Sequence, residues 1–224
     1  MEKKEYIDEI KLIETQNNTE YEIYPLAVEI IQPTTKTLSK RYIFARQRSK
    51  KGNIYFGLSS FPDVAIIDKQ LENIPKDIIQ VEDWLKLKGC LEIKALGNKL
   101  LSKNEIQDCL SKEVLNRDEG QLVGEILWYK KVLYTNGIEW RYLYVKEYTE
   151  ELKEAILRVV NNRIAFEKEE ANKKKLDKKY QKKEYDWWSF FKSINFSIVD
   201  ECITEDCKKD WDEFIVKINI IKWE

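Results

Sequence analysis

Histidine is absent from all 224 residues. That removes Ser-His-Asp and Cys-His catalysis and any imidazole-ligated metal. Cysteine is scarce. Cys90 sits in the apolar run GCLEI and Cys109 in an expected helix, where a free thiol behaves as a small hydrophobe. Cys202 and Cys207, separated by four residues, resemble half a zinc site that has no histidine to complete it. All four are read as reduced thiols. No apolar run approaches the roughly 20 residues that span a bilayer, and the start, MEKKEYIDEIKLIE, lacks the apolar core of a signal peptide. The expectation is a cytoplasmic protein with no membrane partner. A Gly-Lys-Ser/Thr phosphate loop is also missing, so no ATP-driven motor is expected in this chain.

What is present is charge of both signs: 39 basic and 40 acidic residues, 35% of the chain, against 43% hydrophobic residues. That balance describes a globular protein long enough to bury a core. Without histidine, its chemistry has to run on carboxylates, lysine and water.

Along the chain, Tyr6, Ile7, Ile10 and Ile13 carry helical spacing over residues 2–14. Thr19 with Glu22 predicts a capping box opening a second helix that Pro33 ends. Glu20, Glu22 and Glu29 lie on that helix, and any of the three is a candidate to face an active centre. Residues 34–52 hold Lys36, Lys40, Arg41, Arg46, Arg48, Lys50 and Lys51 and no acid. Clustered cations of this kind attract nucleic acid irrespective of sequence, although a solvated basic hairpin has the same composition. Within them RYIFARQ reads as a strand, and residues 53–58 as another.

Two apolar runs then organise the middle of the chain. FPDVAIIDKQ carries Asp63 at the mouth of one expected strand, and GCLEIKAL carries Glu92 and Lys94 in a second. A carboxylate beside a buried strand loses hydration and needs a metal, a cation or hydrogen-bond donors to stay charged. Glu92 and Lys94, two apart, share one face of a strand. Asp63, Glu92 and Lys94 therefore form a candidate set of two carboxylates for a divalent cation with an ammonium beside them. The 28 residues between Asp63 and Glu92 require an inserted loop or short helix around LENIPKDIIQVEDWLKLK.

Residues 100–115 predict a helix. Gly120 reads as a break, and residues 121–129 as a further helix with Gln121 and Glu125 one turn apart. KKVLYT and EWRYLYV read as strands joined at Asn136-Gly137. From Ile138 onward there is neither Gly nor Pro. A helical stripe from Leu152 to Ile164 leads into the lysine-rich KEEANKKKLDKKYQKKE, expected to continue as an exposed helix, and then into an aromatic segment. The expected organisation is α/β over residues 1–147, with a mainly helical C-terminal extension over 148–224.

The order of these pieces resembles the PD-(D/E)XK nuclease superfamily: a strand with Pro-Asp, a strand with Glu-x-Lys, a helix with Gln, and a strand pair. QLVGEILWYKKVLYTNGIEWRYLYV looks like the segment that follows the catalytic motif in the nuclease domains of type I restriction enzyme motor subunits and their stand-alone relatives. TEYEIYPLAVEII looks like that family's first helix. The resemblance covers about residues 19–146. It implies a restriction endonuclease-like fold with a mixed central sheet flanked by helices, and a metal-dependent nuclease, most naturally a DNA endonuclease of defence or mobile-element type. It implies Asp63, Glu92 and the Ile93 carbonyl as ligands of Mg²⁺ or Mn²⁺, with Lys94 orienting or activating water. Glu20 corresponds to the first-helix glutamate, and Gln121 to the glutamine that steadies the site. Its partners would be nucleic acid, with a homodimer or a separate motor or targeting subunit as further candidates. A catalytically inactive binding or interaction module that keeps the fold is the competing expectation.

Overall fold

In the computed structural model, residues 1–42, 53–71 and 78–223 are described. Alternation along the central strand, interrupted by one register irregularity between Leu87 and Gly89, sets the layers. In β3 (Leu87–Ile93), Leu91 and Ile93 join an apolar cluster on one face of the sheet, and Leu87 and Cys90 join a second cluster on the other. The first cluster is completed by Tyr6 and Ile10 of α1 (Lys3–Gln16), by Ile23, Ala27 and Ile30 of α2 (Glu20–Ile31), and by a C-terminal helix. The second is completed by helices from the middle of the chain.

Among the described residues the sheet has six strands in sequence order: β1 (Ser39–Tyr42), β2 (Val64–Ile67), β3, β4 (Lys131–Thr135), β5 (Trp140–Val145) and β6 (Ile198–Thr204). Every neighbouring pair is antiparallel except β3 and β4, which are parallel. A parallel pair needs a crossover. It is made here by α5 (Lys103–Cys109) and α6 (Arg117–Tyr129), after the short helices α3 (Asn53–Phe56) and α4 (Val81–Trp84). The protein is thus α/β, with a mixed sheet flanked by helices.

Local departures from the expected elements have physical causes. Residues 53–56 form α3, not a strand, and its turns are tied to α6: Trp128 Nε1 donates to the Ile54 carbonyl at 2.6 Å and the Tyr129 hydroxyl to that of Tyr55 at 2.6 Å. Thr19 makes no side-chain cap on α2; Glu22 instead accepts from Asn17 Nδ2 at 3.0 Å. Gly120 does not break the helix. Asn116 and Glu119 form a reciprocal capping box, so α6 starts at Arg117 and runs through the glycine. The helix expected over 100–115 is confined to Lys103–Cys109. Among the described residues of the insertion, Val81–Trp84 is helical. The RYIFARQ strand is seen as β1 up to Tyr42, and its remainder lies outside the described residues.

The C-terminal part is mostly helical, with one consequential addition. In α7 (Glu150–Leu176), Thr149 caps the first turn and Lys173–Lys175 oppose the negative end of the helix dipole. The helix stops at Leu176, so the second half of the lysine-rich run is irregular chain. β6 then adds to β5 in the main sheet, and α8 (Trp211–Ile220) packs its Trp211, Phe214 and Ile218 into the first cluster. No helix among the described residues is long and apolar enough to cross a membrane.

Candidate active site

Extending the antiparallel register from Val64 opposite Leu91 by one residue puts Asp63, at the mouth of β2, opposite Glu92 of β3. Directly opposed residues share a sheet face with Cβ atoms about 5 Å apart. The Asp63 carboxylate is fixed at both ends: Oδ2 accepts the Ile93 N–H at 2.6 Å, and Oδ1 accepts a very short bond from the Tyr24 hydroxyl of α2. Glu92 is 2% exposed. Its Oε1 accepts from Lys94 Nζ at 2.7 Å and from Gln121 Nε2 at 2.8 Å, and its carboxyl lies within hydrogen-bond reach of a further glutamate, Glu125. The β3–β4 register sets Tyr134 beside Glu92, and Lys94 is held by its N–H bond to the Thr135 carbonyl at 2.8 Å.

A third carboxyl lies behind these two. Glu125 of α6 is also 2% exposed; its Oε1 accepts from the Ser60 hydroxyl at 2.8 Å and, more distantly, from Gln121 Nε2 at 3.5 Å, and its carboxyl lies within hydrogen-bond reach of Glu92. Burial raises the pKa of Asp63, and the neighbouring Glu92 and Glu20 charges add to that against the Tyr24 and Ile93 donors. Burial raises Glu92 too, opposed by the Lys94 ammonium. Glu125 is pushed well up by burial and by the charges of Glu92 and Asp63, so it holds its proton where an exposed glutamate would not. For Lys94, burial works against the ammonium, but the adjoining Glu92 carboxylate outweighs it and the pKa is raised. Lys94 is therefore a fixed positive charge in this arrangement.

Asp63, Glu92, Lys94, Gln121 and Glu20 all line one cleft of about 440 Å³, together with Asn98, Arg117 and Tyr134. Of the three glutamates of α2, only Glu20 reaches it: Glu22 pairs with Asn17, and Glu29 is exposed and paired with the N-terminal amine at 3.3 Å. Ile93 lies at the same point and gives its N–H to Asp63. Of the basic segment, Lys36 and Arg41 are exposed and Lys40 is half-buried, at or just before the edge strand β1; none of the three lines the cleft. Arg46, Arg48, Lys50 and Lys51 lie outside the described residues.

Sequence reasoning missed three contributors: Tyr24, Ser60 and the full role of Glu125. The one signal for Glu125 was its position a turn after Gln121. Among the described residues, no three His, Cys, Asp or Glu side chains make a ready metal cluster. No protein-family model, curated protein or solved structure matches the chain.

Proposed function

We propose that this chain is a metal-dependent nuclease of restriction endonuclease-like fold that hydrolyses phosphodiester bonds, with DNA as its substrate. The observation that carries the reading is a pair of opposed, dehydrated carboxylates, Asp63 and Glu92, with the Lys94 ammonium 2.7 Å from one of them, at the floor of a cleft. The element order supports it: Asp63 at β2, Glu-x-Lys at the end of β3, Gln121 on the crossover helix, then the β4–β5 pair. The donor set also fits a hard divalent cation. Asp63, Glu92 and Glu125 crowd three buried carboxyls together, Glu125 within hydrogen-bond reach of Glu92, and the mutual repulsion of the carboxyls is what a cation relieves.

Asp63 and Glu92 would hold Mg²⁺ or Mn²⁺, with the Ile93 carbonyl and water as further oxygen ligands. Such an ion, when bound, lowers the pKa of its water and offsets charge on the scissile phosphate. Lys94, charged as it stands, contributes by neutralising a phosphate oxygen rather than by taking a proton. Gln121 holds the Glu92 carboxylate in one orientation, and Glu20 lines the entrance. Supercoiled plasmid and single-stranded DNA, incubated with Mg²⁺ or Mn²⁺, test this. Wild type is expected to cut, while Asp63→Ala and Lys94→Ala bind but do not cut. Equal cutting by all three overturns the site assignment.

One observation favours a second reading. Both Asp63 oxygens already accept protein donors, as in a centre that has become structural. In that case the fold serves as a nucleic-acid-binding or protein-interaction module, and wild type binds DNA without cutting it.

A further inference from the structure

A second, larger cleft of about 910 Å³ opens beside the carboxylate centre and shares Glu20, Asp63, Arg117 and Gln121 with it. The nuclease reading makes no use of its far wall. That wall is aromatic: Phe56 and Phe61 meet edge-to-face at 5.1 Å, Phe166 and Tyr185 lie 5.4 Å apart, and Trp187 packs on Trp188 at 5.7 Å. Trp187 reaches α6 beside Gly124, where the glycine makes room for Ser59: a Cβ there would stand 2.2 Å from Ser59 Oγ.

Set into this wall is Arg163 of α7, 3% exposed, with its guanidinium carbon 4.4 Å from the centre of the Phe56 ring. Nη1 donates to Glu167 at 2.8 Å, but Nε and Nη2, the two donors of one guanidinium edge, have no partner. The Tyr185 hydroxyl, near enough to interact electrostatically with Arg163, is also buried and unpartnered. Buried donors left open need an explanation. The cleft is within the ~300–1,000 Å³ range of sites that enclose small ligands. Five carboxylates and four cations line it, so it has no excess of positive charge to draw a phosphate. A neutral planar group with paired acceptors suits it better.

We propose that this cleft is a nucleobase subsite, in which an unpaired guanine of the substrate strand stacks against the Phe56–Trp187 wall and presents O6 and N7 to the free edge of Arg163. This rests on the nuclease reading for the identity of the strand. An aromatic platform takes any base, whereas a two-donor arginine edge matches the two acceptors of guanine and meets the N6 amino donor of adenine unfavourably. Arg163 and Tyr185 both line the cleft, and their unpartnered polar atoms are buried, so a base that reaches them displaces the side chains over them.

The test is fluorescence anisotropy of the full chain in EDTA, where nothing is cut. The probes are labelled dT oligonucleotides carrying one central dG, dA or abasic residue. The dG probe is expected to bind about tenfold more tightly than the dA probe, and both more tightly than the abasic one. Trp187→Ala should bring dG and dA down to the abasic level. Arg163→Met should remove only the dG preference; if that variant does not fold, Trp187→Ala decides. Equal binding of all three probes by wild type overturns the subsite whether or not plasmid is cut. A dG preference in a protein that never cuts with Mg²⁺ or Mn²⁺ keeps the subsite and discards the nuclease reading.

Discussion

Gln121 Nε2 holds Glu92 Oε1 at 2.8 Å while Lys94 holds the same oxygen, so the orientation of the carboxylate depends on two donors from different elements. Removing such an orienting contact around a metal ligand typically costs about 10–100-fold in metal affinity or activity. Gln121→Ala is expected to fall in that range, with the loss appearing as a higher Mn²⁺ concentration needed for half-maximal cleavage. A variant with unchanged metal dependence would assign Gln121 to folding alone. At this scale the sequence was informative where chemistry and strand periodicity coincide. Asp63, Glu92 and Lys94 were legible because charged residues interrupt apolar runs, and the structure brings them together. Glu125 was not legible as a member: one glutamate among many, its burial depends on α6 lying against β3, which no local pattern states. Tyr24 and Ser60 were hidden for the same reason, since their partners lie 39 and 65 residues away.

The join between α6 and β4 turns on Lys130, which has φ +72° and sits with its ammonium 4.5 Å from the centre of the Trp84 ring, donating to the Trp84 carbonyl at 3.0 Å. Burial, then the charges of Lys88 and Lys131, lower its pKa to about 7. Below that pH the folded state must bury a charge that the unfolded chain leaves in water. As pH rises from about 7 towards the ordinary lysine value, the folded state sheds the proton first and stability increases. Lys130→Met should therefore be more stable than wild type at pH 6, by about 2 kcal/mol after allowing for the partial exposure of the side chain. The gap should narrow by pH 9 in urea denaturation; a gap independent of pH would place the effect in packing. The elements themselves were largely legible. β2 to β5 follow their apolar runs, and the turn after β4 follows Asn136-Gly137, where Gly137 takes φ +86° and the Asn136 side chain accepts from two backbone N–H groups. What failed was punctuation. Gly120 looked like a break, but the capping box of Asn116 and Glu119 just before it holds the helix and wins.

For the molecule as a whole, the C-terminal region is tied to the strand that carries Glu92. Trp223 lies so close to Gly89 of β3 that a Cβ there would be 2.2 Å from the indole, and Trp223 Nε1 donates to Thr34 Oγ1 at 3.1 Å. Between them, β6 covers the edge of β5, and Arg141 reaches across to Asp200 through two bonds, one of them Nε to Oδ1 at 3.1 Å, while its Nη1 donates to the Leu101 carbonyl at 3.0 Å. None of this pairing was legible in sequence, because a strand added from 53 residues beyond its partner leaves no periodic signal across the gap, and the helical stripe of α7 dominates the interval. Residues 1–147 alone read as a nuclease domain, yet that fragment would strip Arg141 of Asp200, leaving it the looser pairing with Glu139 at 3.6 Å, and would bare both β5 and the apolar face under α7. Removing one partner of a buried ion pair costs about 3–5 kcal/mol, a large share of the ~5–15 kcal/mol that holds a typical domain. Asp200→Ala should lower stability by roughly that amount in denaturant titration. The chain truncated after Lys146 should lose cooperative unfolding altogether and elute aggregated from size exclusion. If the fragment elutes as a monomer with a sharp transition, the strands that carry Asp63 and Glu92 stand by themselves and the C-terminal part is an addition to a finished domain; if it does not, the arrangement of Asp63 and Glu92 depends on β6 and α8 completing the sheet and its first cluster.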